Sequence, residues 1–316
     1  METAVPVSSP RRPRFRRAPE PPAFRVTDDD VVIVRQLARY RFLRSTHIAA
    51  LVGRSVDRTN DRLSRLFHAG YVDRPHAQLD YYPTAGSAPM VYALANRGVR
   101  LLIDRYGIEF ANVDWSRKNH KAGRSFIEHQ LEIVDFQVAL DRATRDRDDL
   151  RLKYADEIIT GMTGQPRAKR NPFALRVKLA QKGVAREIGV IPDFVFGLEL
   201  RDRSNRYFMV EIDRGTMPIV RSNIEQTSFE RKMLAYLTAY VTKQHEHRFG
   251  WKSFRVLTVT TDGYRMKSMM DACRGLHIPH SPGTPLFLFT TREALRAHGP
   301  LTHNWIDGSG KATLLC

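Results

Sequence analysis

The chain has 316 residues, of which 51 are lysine or arginine and 34 are aspartate or glutamate, so its formal net charge is +17. A field of this sign attracts polyanions and speeds association with them, which favours a nucleic-acid partner over a small-molecule substrate. We find no apolar run near the ~20 residues of a membrane-spanning helix, no secretory leader, and no cysteine pattern of a disulfide or metal framework. We therefore expect a cytoplasmic protein of two domains, since single cores rarely grow to this length.

The first part of the chain divides into an arm, a small domain and a linker. Residues 1–26 are rich in proline and arginine and have little to bury, which predicts a disordered basic arm. Residues 27–112 predict three helices, two short strands around a turn-rich wing, and a closing helix. That order is typical of a winged helix-turn-helix, a DNA-binding domain. The polar residues 113–124 are expected to be the linker into the second domain.

The third predicted helix, at roughly residues 55–69, carries several arginines between its apolar positions. A winged helix places this helix in the major groove of double-stranded DNA, where side chains contact phosphates and base edges. The candidate DNA contacts are Arg54, Arg58, Thr59, Asn60, Arg62 and Arg65. Two alternatives stay open, a three-helix module that contacts another protein and a homodimer on a palindromic site.

Residues 125–316 alternate between predicted helices and strands, which is an α/β layered order. Between two of the strands lies a basic stretch that we interpret as an irregular loop or a hairpin. The predicted elements are, in order, a helix at 126–146, a strand at 150–154, the basic stretch at 167–186, strands at 190–200 and 207–213, a helix at 228–241, a strand at 255–260, a helix at 262–273, a strand at 285–290 and a helix at 291–298.

Acidic residues on the two central strands suggest a site. Pro192 and Asp193 open one strand and Glu211 lies in the next, so a hairpin brings the two carboxylates side by side. With Glu128 or Glu132 on the long helix, this arrangement resembles the PD-(D/E)XK, or restriction-endonuclease-like, fold. The resemblance implies that Glu128, Asp193 and Glu211 hold Mg²⁺, which activates water and stabilises charge on a phosphate.

The chain departs from that motif at the lysine that should follow Glu211 by two residues. Asp213 stands there, followed by Arg214, so the usual lysine is missing, and Arg214 or Lys232 on the next helix could take its place. Arginine is a poor replacement because it does not readily release a proton. The candidate catalytic residues are Asp193, Glu211, Asp213, Arg214 and Lys232. The structural alternative is that these acidic residues only pair with arginines at the strand ends.

The N-terminal winged helix pattern combined with three short strings of the second domain is a more specific signal than the pattern of either domain alone. The strings are His129-Gln-Leu, Pro192-Asp-Phe-Val-Phe and Val210-Glu-Ile-Asp-Arg-Gly-Thr, and over about residues 28–260 the chain resembles the replication-relaxation family of plasmid and mobile-element proteins. That resemblance implies a role in replication, relaxation or transfer of mobile DNA. We expect a DNA-binding protein with a degenerate nuclease-like domain. The alternatives are a Mg²⁺-dependent endonuclease or nickase using Asp193 and Glu211, and a transcription regulator without chemistry.

Overall fold

The computed structural model describes residues 14–20, 23–78, 88–110, 113–160, 171–181, 184–223 and 226–316. Helices and strands are mixed throughout, which confirms the α/β class. The chain divides into two compact units, residues 1–138 and residues 139–316. Within the described part of the chain, no helix is long and apolar enough to cross a membrane.

The first unit consists of helices around a small antiparallel sheet. Its elements are α1 (Asp28–Tyr40), β1 (Phe42–Arg44), α2 (Ser45–Val52), α3 (Val56–His68), β2 (Val72–Asp73), β3 (Val91–Leu94), α4 (Asn96–Tyr106), α5 (Trp115–His120) and the first part of α6 (Arg124–Thr144). The strand order is β1-β3-β2. Most of the connection predicted to be the wing lies outside the described residues, since residues 79–87 are not described.

The core of this unit forms where the apolar stripes of α1, α2 and α3 meet. Val34, Leu37, Ile48, Leu63 and Leu66 are all fully buried there. Each of these side chains contributes roughly 2 kcal/mol by leaving water, so the helices are held mainly by this shared core. The rigid placement of α3 follows, because one side of it is fixed in the core and the other side faces outward.

The arm differs from its prediction of disorder where the structure describes it, at residues 14–20 and 23–26. Arg17 donates to the backbone oxygens of Phe67 and Val72 at 2.8 and 3.1 Å and forms an ion pair of 2.6 Å with the buried Asp73. The Phe24 ring packs against Tyr71. One arginine of the basic arm thus pairs with a buried carboxylate of the first unit. Residues 1–13 and 21–22 lie outside the described part.

The expected linker and the start of the second domain also differ from prediction. Residues 113–124 contain α5, whose Asn119 is buried and donates to the side chain of Asp73 at 3.2 Å. The sequence predicts the long helix α6 entirely in the second domain, yet Ile127 and Val134 pack in the cores of the first unit. The division between units therefore falls inside α6, because the apolar face of its first turns has partners in the first unit.

The second unit is built on a seven-stranded mixed sheet. Its elements after α6 are β4 (Leu150–Lys153), α7 (Ala155–Thr160), β5 (Leu175–Gln181), β6 (Val184–Val190), β7 (Phe194–Leu200), β8 (Asn205–Ile212), α8 (Phe229–Val241), α9 (Gln244–Phe249), β9 (Arg255–Thr260), α10 (Gly263–Arg274), β10 (Phe287–Thr291), α11 (Arg292–His298), β11 (Trp305–Asp307) and β12 (Ala312–Thr313). The sheet order is β12-β11-β10-β9-β8-β7-β4.

The direction of the strands decides which residues meet at one edge of this sheet. β4, β7 and β8 run as an antiparallel meander, and then α8 leads into β9, which is parallel to β8, as β10 is to β9. The start of β7 therefore lies beside the ends of β8, β9 and β10. Of the two interpretations of the basic stretch, an irregular loop or a hairpin, its described part forms a hairpin of β5 with β6. Residues 167–170 and 182–183 of this stretch are outside the described part.

Candidate functional site

The first candidate site is centred on two carboxylates that the sheet register brings together. Phe194 pairs with Val210 across β7 and β8, which sets Asp193 beside the end of β8. Asp193 Oδ2 accepts a hydrogen bond of 2.7 Å from the backbone nitrogen of Ile212, the residue after Glu211. The hairpin expected from the sequence thus places Asp193 and Glu211 on neighbouring strands.

Helix α8 supplies the groups that contact Glu211. Lys232 Nζ lies 2.5 Å from Glu211 Oε2, and the Tyr236 hydroxyl donates to Glu211 Oε1 at 2.6 Å. Lys232 and Tyr236 are four residues apart and so lie on one face of the helix. Ser228 caps the helix by accepting from the backbone nitrogen of Arg231 at 3.1 Å, which fixes where this face begins. Both oxygens of Glu211 are therefore bound.

Burial and charge shift the protonation of this cluster. Complete burial raises the pKa of Glu211, and the positive charge of Lys232 opposes that rise without cancelling it. Burial alone lowers the pKa of Lys232, but the negative charges of Glu211 and Asp193 outweigh it, so that its pKa lies above the ordinary value. Burial first, and then Glu211, raise the pKa of Tyr236 well above its usual value. Lys232 is thus a cation and Tyr236 a hydrogen-bond donor at neutral pH.

Asp213 has a different setting from the one expected of a catalytic residue. Arg265 Nε and Nη2 donate to its two carboxylate oxygens at 2.6 and 2.8 Å, and the Thr260 hydroxyl donates to Oδ2 at 2.7 Å. Burial raises the pKa of Asp213, but the hydrogen bonds from Arg265 and Thr260 outweigh it and leave the pKa below its ordinary value. Asp213 therefore ties the end of β8 to β9 and α10, which corrects its assignment to catalysis.

The remaining predicted site residues are Arg214, directly after Asp213, and Glu128 on α6. Arg214 follows Asp213 and is partly exposed, whereas the cation against Glu211 is Lys232. Glu128, the third predicted metal ligand, lies on α6 in the first unit and pairs with Arg124 at 2.7 Å. Among the described residues, no three His, Cys, Asp or Glu side chains are grouped so that they could hold a metal ion.

The second candidate site is the outer face of α3 in the first unit. Arg58, Asn60 and Arg65 are exposed there, and Arg54 is exposed just before the helix. Arg65 pairs with Asp61 at 3.2 Å, with both side chains more than half exposed. Such solvent-exposed pairs are weak, so they leave the guanidinium available to a stronger anion.

Two of the six predicted DNA contacts are not on this outer face. Thr59 is 1% exposed, and its hydroxyl donates to the backbone oxygen of Ser55 at 2.9 Å. Arg62 forms an ion pair with Asp30, which is fully buried at the start of α1, and donates with Nε at 2.5 Å. Thr59 and Arg62 therefore stabilise the packing of α3, which corrects their assignment as DNA contacts.

Sequence reasoning missed several partners for which a signal was available. Tyr236 falls four residues after Lys232, a spacing that puts both side chains on the face of α8 turned to Glu211. Asp30 lies in the acidic first turn of α1, next to the similar Asp28 and Asp29, so the sequence does not single it out as the partner of Arg62. Arg265 has no local signal, since its partner Asp213 lies more than 50 residues earlier and they meet only through the sheet.

Comparison with known proteins gives the family. The model of the replication-relaxation family matches residues 34–251, which is more than half of the chain. The chain therefore belongs to the replication-relaxation family, as its strings around His129, Pro192 and Glu211 indicate. No curated protein matches the chain. Membership indicates a role in the replication or relaxation of mobile DNA.

Proposed function

We propose that this member of the replication-relaxation family binds double-stranded DNA through a winged helix in its first unit. The observation that carries the proposal is the element order α1-β1-α2-α3-β2-β3 with the sheet order β1-β3-β2. In a helix-turn-helix of this type the last helix of the three, here α3, enters the major groove. The formal charge of +17 supplies the attraction to phosphates.

The outer face of α3 offers the chemistry that duplex DNA requires. Arg58 and Arg65 are seven residues apart, which places them on one side of the helix about 10 Å from each other. Arginine binds phosphate oxygens or the guanine edge, and the amide of Asn60 suits the adenine edge. Asp61 lies between the two arginines on the same side, and its weak pairing with Arg65 is replaceable by a phosphate.

The test is the affinity of the full chain for a duplex of about 20 base pairs, measured by fluorescence anisotropy at several salt concentrations. We expect Arg58→Ala/Arg65→Ala to bind at least tenfold more weakly and to lower the salt slope by about two, about one for each lost phosphate contact. The matched control is Arg100→Ala/Arg105→Ala on α4, which removes the same charge. If both double variants lose affinity for the duplex equally, α3 is not the DNA-contacting helix.

A second candidate function rests on the meeting of Asp193, Glu211 and Lys232 in the second unit. The meander β4-β7-β8 followed by α8 and the parallel β9 supports a restriction-endonuclease-like fold, with the missing lysine supplied from α8 by Lys232. The proposed activity is Mg²⁺-dependent cleavage or nicking of DNA. In this function Lys232 neutralises charge that develops on the phosphate being cut.

The two carboxylates fit Mg²⁺ in kind and in number. Carboxylate oxygens are the donors that Mg²⁺ prefers, and the ion commonly takes only one or two carboxylates from a protein, with waters and substrate phosphates completing its shell. Asp193 and Glu211 are the residues that would hold it, although Glu211 already binds Lys232 and Tyr236. A bound ion supplies a polarised phosphate and an activated water.

The second candidate is tested with supercoiled plasmid and either Mg²⁺ or Mn²⁺, read as nicked or linear product. We expect the wild-type chain to nick, and Asp193→Asn and Lys232→Met to lose at least 100-fold in rate, in line with the loss of a transition-state contact. Lys267→Met, at an exposed lysine of α10, is the matched control. No cleavage by the wild-type chain removes this candidate and leaves DNA binding by α3 untouched.

A further inference from the structure

The sheet edge that carries Asp193 and Glu211 also displays apolar side chains to solvent. Among the described residues, the second unit has four large apolar side chains that are clearly exposed, Ile191, Val220, Tyr264 and Leu314. The first three lie in segments that leave the sheet at the same edge, since the start of β7 is beside the ends of β8 and β9. Three of these four exposed apolar side chains therefore belong to segments at the end of the sheet where Asp193 and Glu211 lie.

Tyr264 is the most exposed of these side chains and its position is fixed. It is 85% exposed, although it lies in the first turn of α10 beside the well-anchored Arg265. The side chain of Arg265 donates two hydrogen bonds to Asp213. The backbone nitrogen of Arg265 donates to the side chain of Asp262 at 2.9 Å. The ring is thus held in solvent by a rigid support, where it contributes little to the stability of the fold.

The charges along this edge indicate what kind of molecule covers the ring. Lys232 of α8 and Arg265 of α10 neutralise Glu211 and Asp213 near the end of β8, and Arg292 donates to the backbone oxygen of Asp213 at 2.8 Å. Two further arginines follow β8 at the same end of the sheet, the partly exposed Arg214 and the exposed Arg221. Cations that follow a phosphate backbone, combined with an exposed aromatic ring, are the features of single-strand binding sites. In a duplex the faces of the bases are covered by their neighbours, so a ring can stack only on an unpaired base.

We propose that the second unit binds single-stranded or locally unpaired DNA, with one base stacked on the ring of Tyr264. The proposal rests on the proposed function in that it takes DNA as the ligand of this chain. It goes further by naming unpaired DNA as the form that binds at the end of the sheet with Asp193 and Glu211, whereas duplex DNA is the proposed ligand of α3. Tyr264 is then the residue that positions an unpaired nucleotide next to the acidic cluster.

The test compares the full chain and its variants on a labelled 16-nucleotide oligothymidylate and on a duplex of equal length. Because stacking of a base on an aromatic ring is substantial, we expect Tyr264→Ala to bind the single strand about fivefold to a hundredfold more weakly and the duplex unchanged. Tyr264→Phe and Tyr264→Trp keep a ring and should bind as the wild type does. Tyr106→Ala, at an exposed tyrosine of α4, is the matched control.

The outcomes separate the two proposals. If Tyr264→Ala binds the single strand as tightly as the wild type does, base stacking on Tyr264 is overturned. If Tyr264→Phe loses as much affinity as Tyr264→Ala, stacking is also overturned, because binding then needs the hydroxyl and not the ring. Sedimentation that shows Tyr264→Ala to dissociate a self-associated chain, with single-strand affinity unchanged, also overturns it. A wild-type chain that binds neither form of DNA refutes the proposed function itself.

Discussion

Replacing Lys232 with methionine probes the buried cluster most sharply, because it removes a charge and keeps most of the side-chain volume. Glu211 is then a buried carboxylate whose remaining described partner is the hydroxyl of Tyr236. Removing one member of a buried ion pair typically costs about 3–5 kcal/mol. The Lys232 side chain keeps 25% of its exposure, so water screens part of the interaction and we expect the lower end, about 3 kcal/mol, at pH 8.

The loss should depend on pH with a defined sign. Burial raises the pKa of Glu211 above its ordinary 4.5 in the folded chain, and without Lys232 the rise is larger. The folded state of Lys232→Met then holds a proton that the unfolded state releases, so its free energy of unfolding falls as pH rises between the ordinary and the raised pKa. The slope reaches at most about 1.4 kcal/mol per pH unit. Near pH 4 the deficit relative to wild type should shrink to below about 1 kcal/mol.

The assay is urea unfolding at pH 4, 6 and 8, followed by tryptophan fluorescence. The second unit contains Trp251 and Trp305, both buried, and a Trp115→Phe background removes the tryptophan of the first unit. Lys267→Met on α10 serves as the control for loss of an exposed lysine. A deficit under about 0.5 kcal/mol at pH 8, or one that is the same at every pH, refutes the buried pairing of Lys232 with Glu211.

Two further predictions concern the first unit. Arg62→Ala leaves the buried carboxylate of Asp30 without its ion-pair partner. We expect it to lower the free energy of unfolding by about 3 kcal/mol, measured by urea unfolding. A change below ~0.5 kcal/mol contradicts the pairing of Arg62 with Asp30. Gly98→Ala should cost about 1–3 kcal/mol, because its new Cβ would lie 2.4 Å from the backbone oxygen of Tyr71, whereas Gly123→Ala meets no atom within 4 Å and should be neutral. Equal melting temperatures for the two alanine variants would show that the close approach is absent.

The sequence predicted elements well where apolar spacing and caps agree. The sequence predicts helix α8 at 228–241, and the helix runs Phe229–Val241 with Ser228 as its N-cap. The strands that carry Asp193 and Glu211 were predicted because a proline and a turn bound two apolar runs, and the hairpin register then follows. These features depend on neighbours in sequence, which is what local patterns report.

Features that depend on distant partners were not predictable in the same way. The composition of the arm predicts disorder because it has few side chains to bury. In the structure, Arg17 forms an ion pair with Asp73, which lies more than 50 residues later in the chain. Arg62 and Arg58 look alike in the sequence of α3, and only the fold shows that Arg62 faces the buried Asp30. Long-range ion pairs of this kind decide which arginines stay exposed, so a count of arginines in the sequence overestimates the exposed positive charge of α3.

The central claim is that the outer face of α3 touches duplex DNA, and site-specific cross-linking tests it most directly. A photoreactive benzoylphenylalanine replaces the exposed Asn60 of α3 in one variant and the exposed Arg100 of α4 in another. Each variant is irradiated with a labelled duplex and resolved on a denaturing gel. We predict a covalent adduct from position 60 and little from position 100. No adduct from position 60, at a concentration where the duplex is bound, would contradict the account.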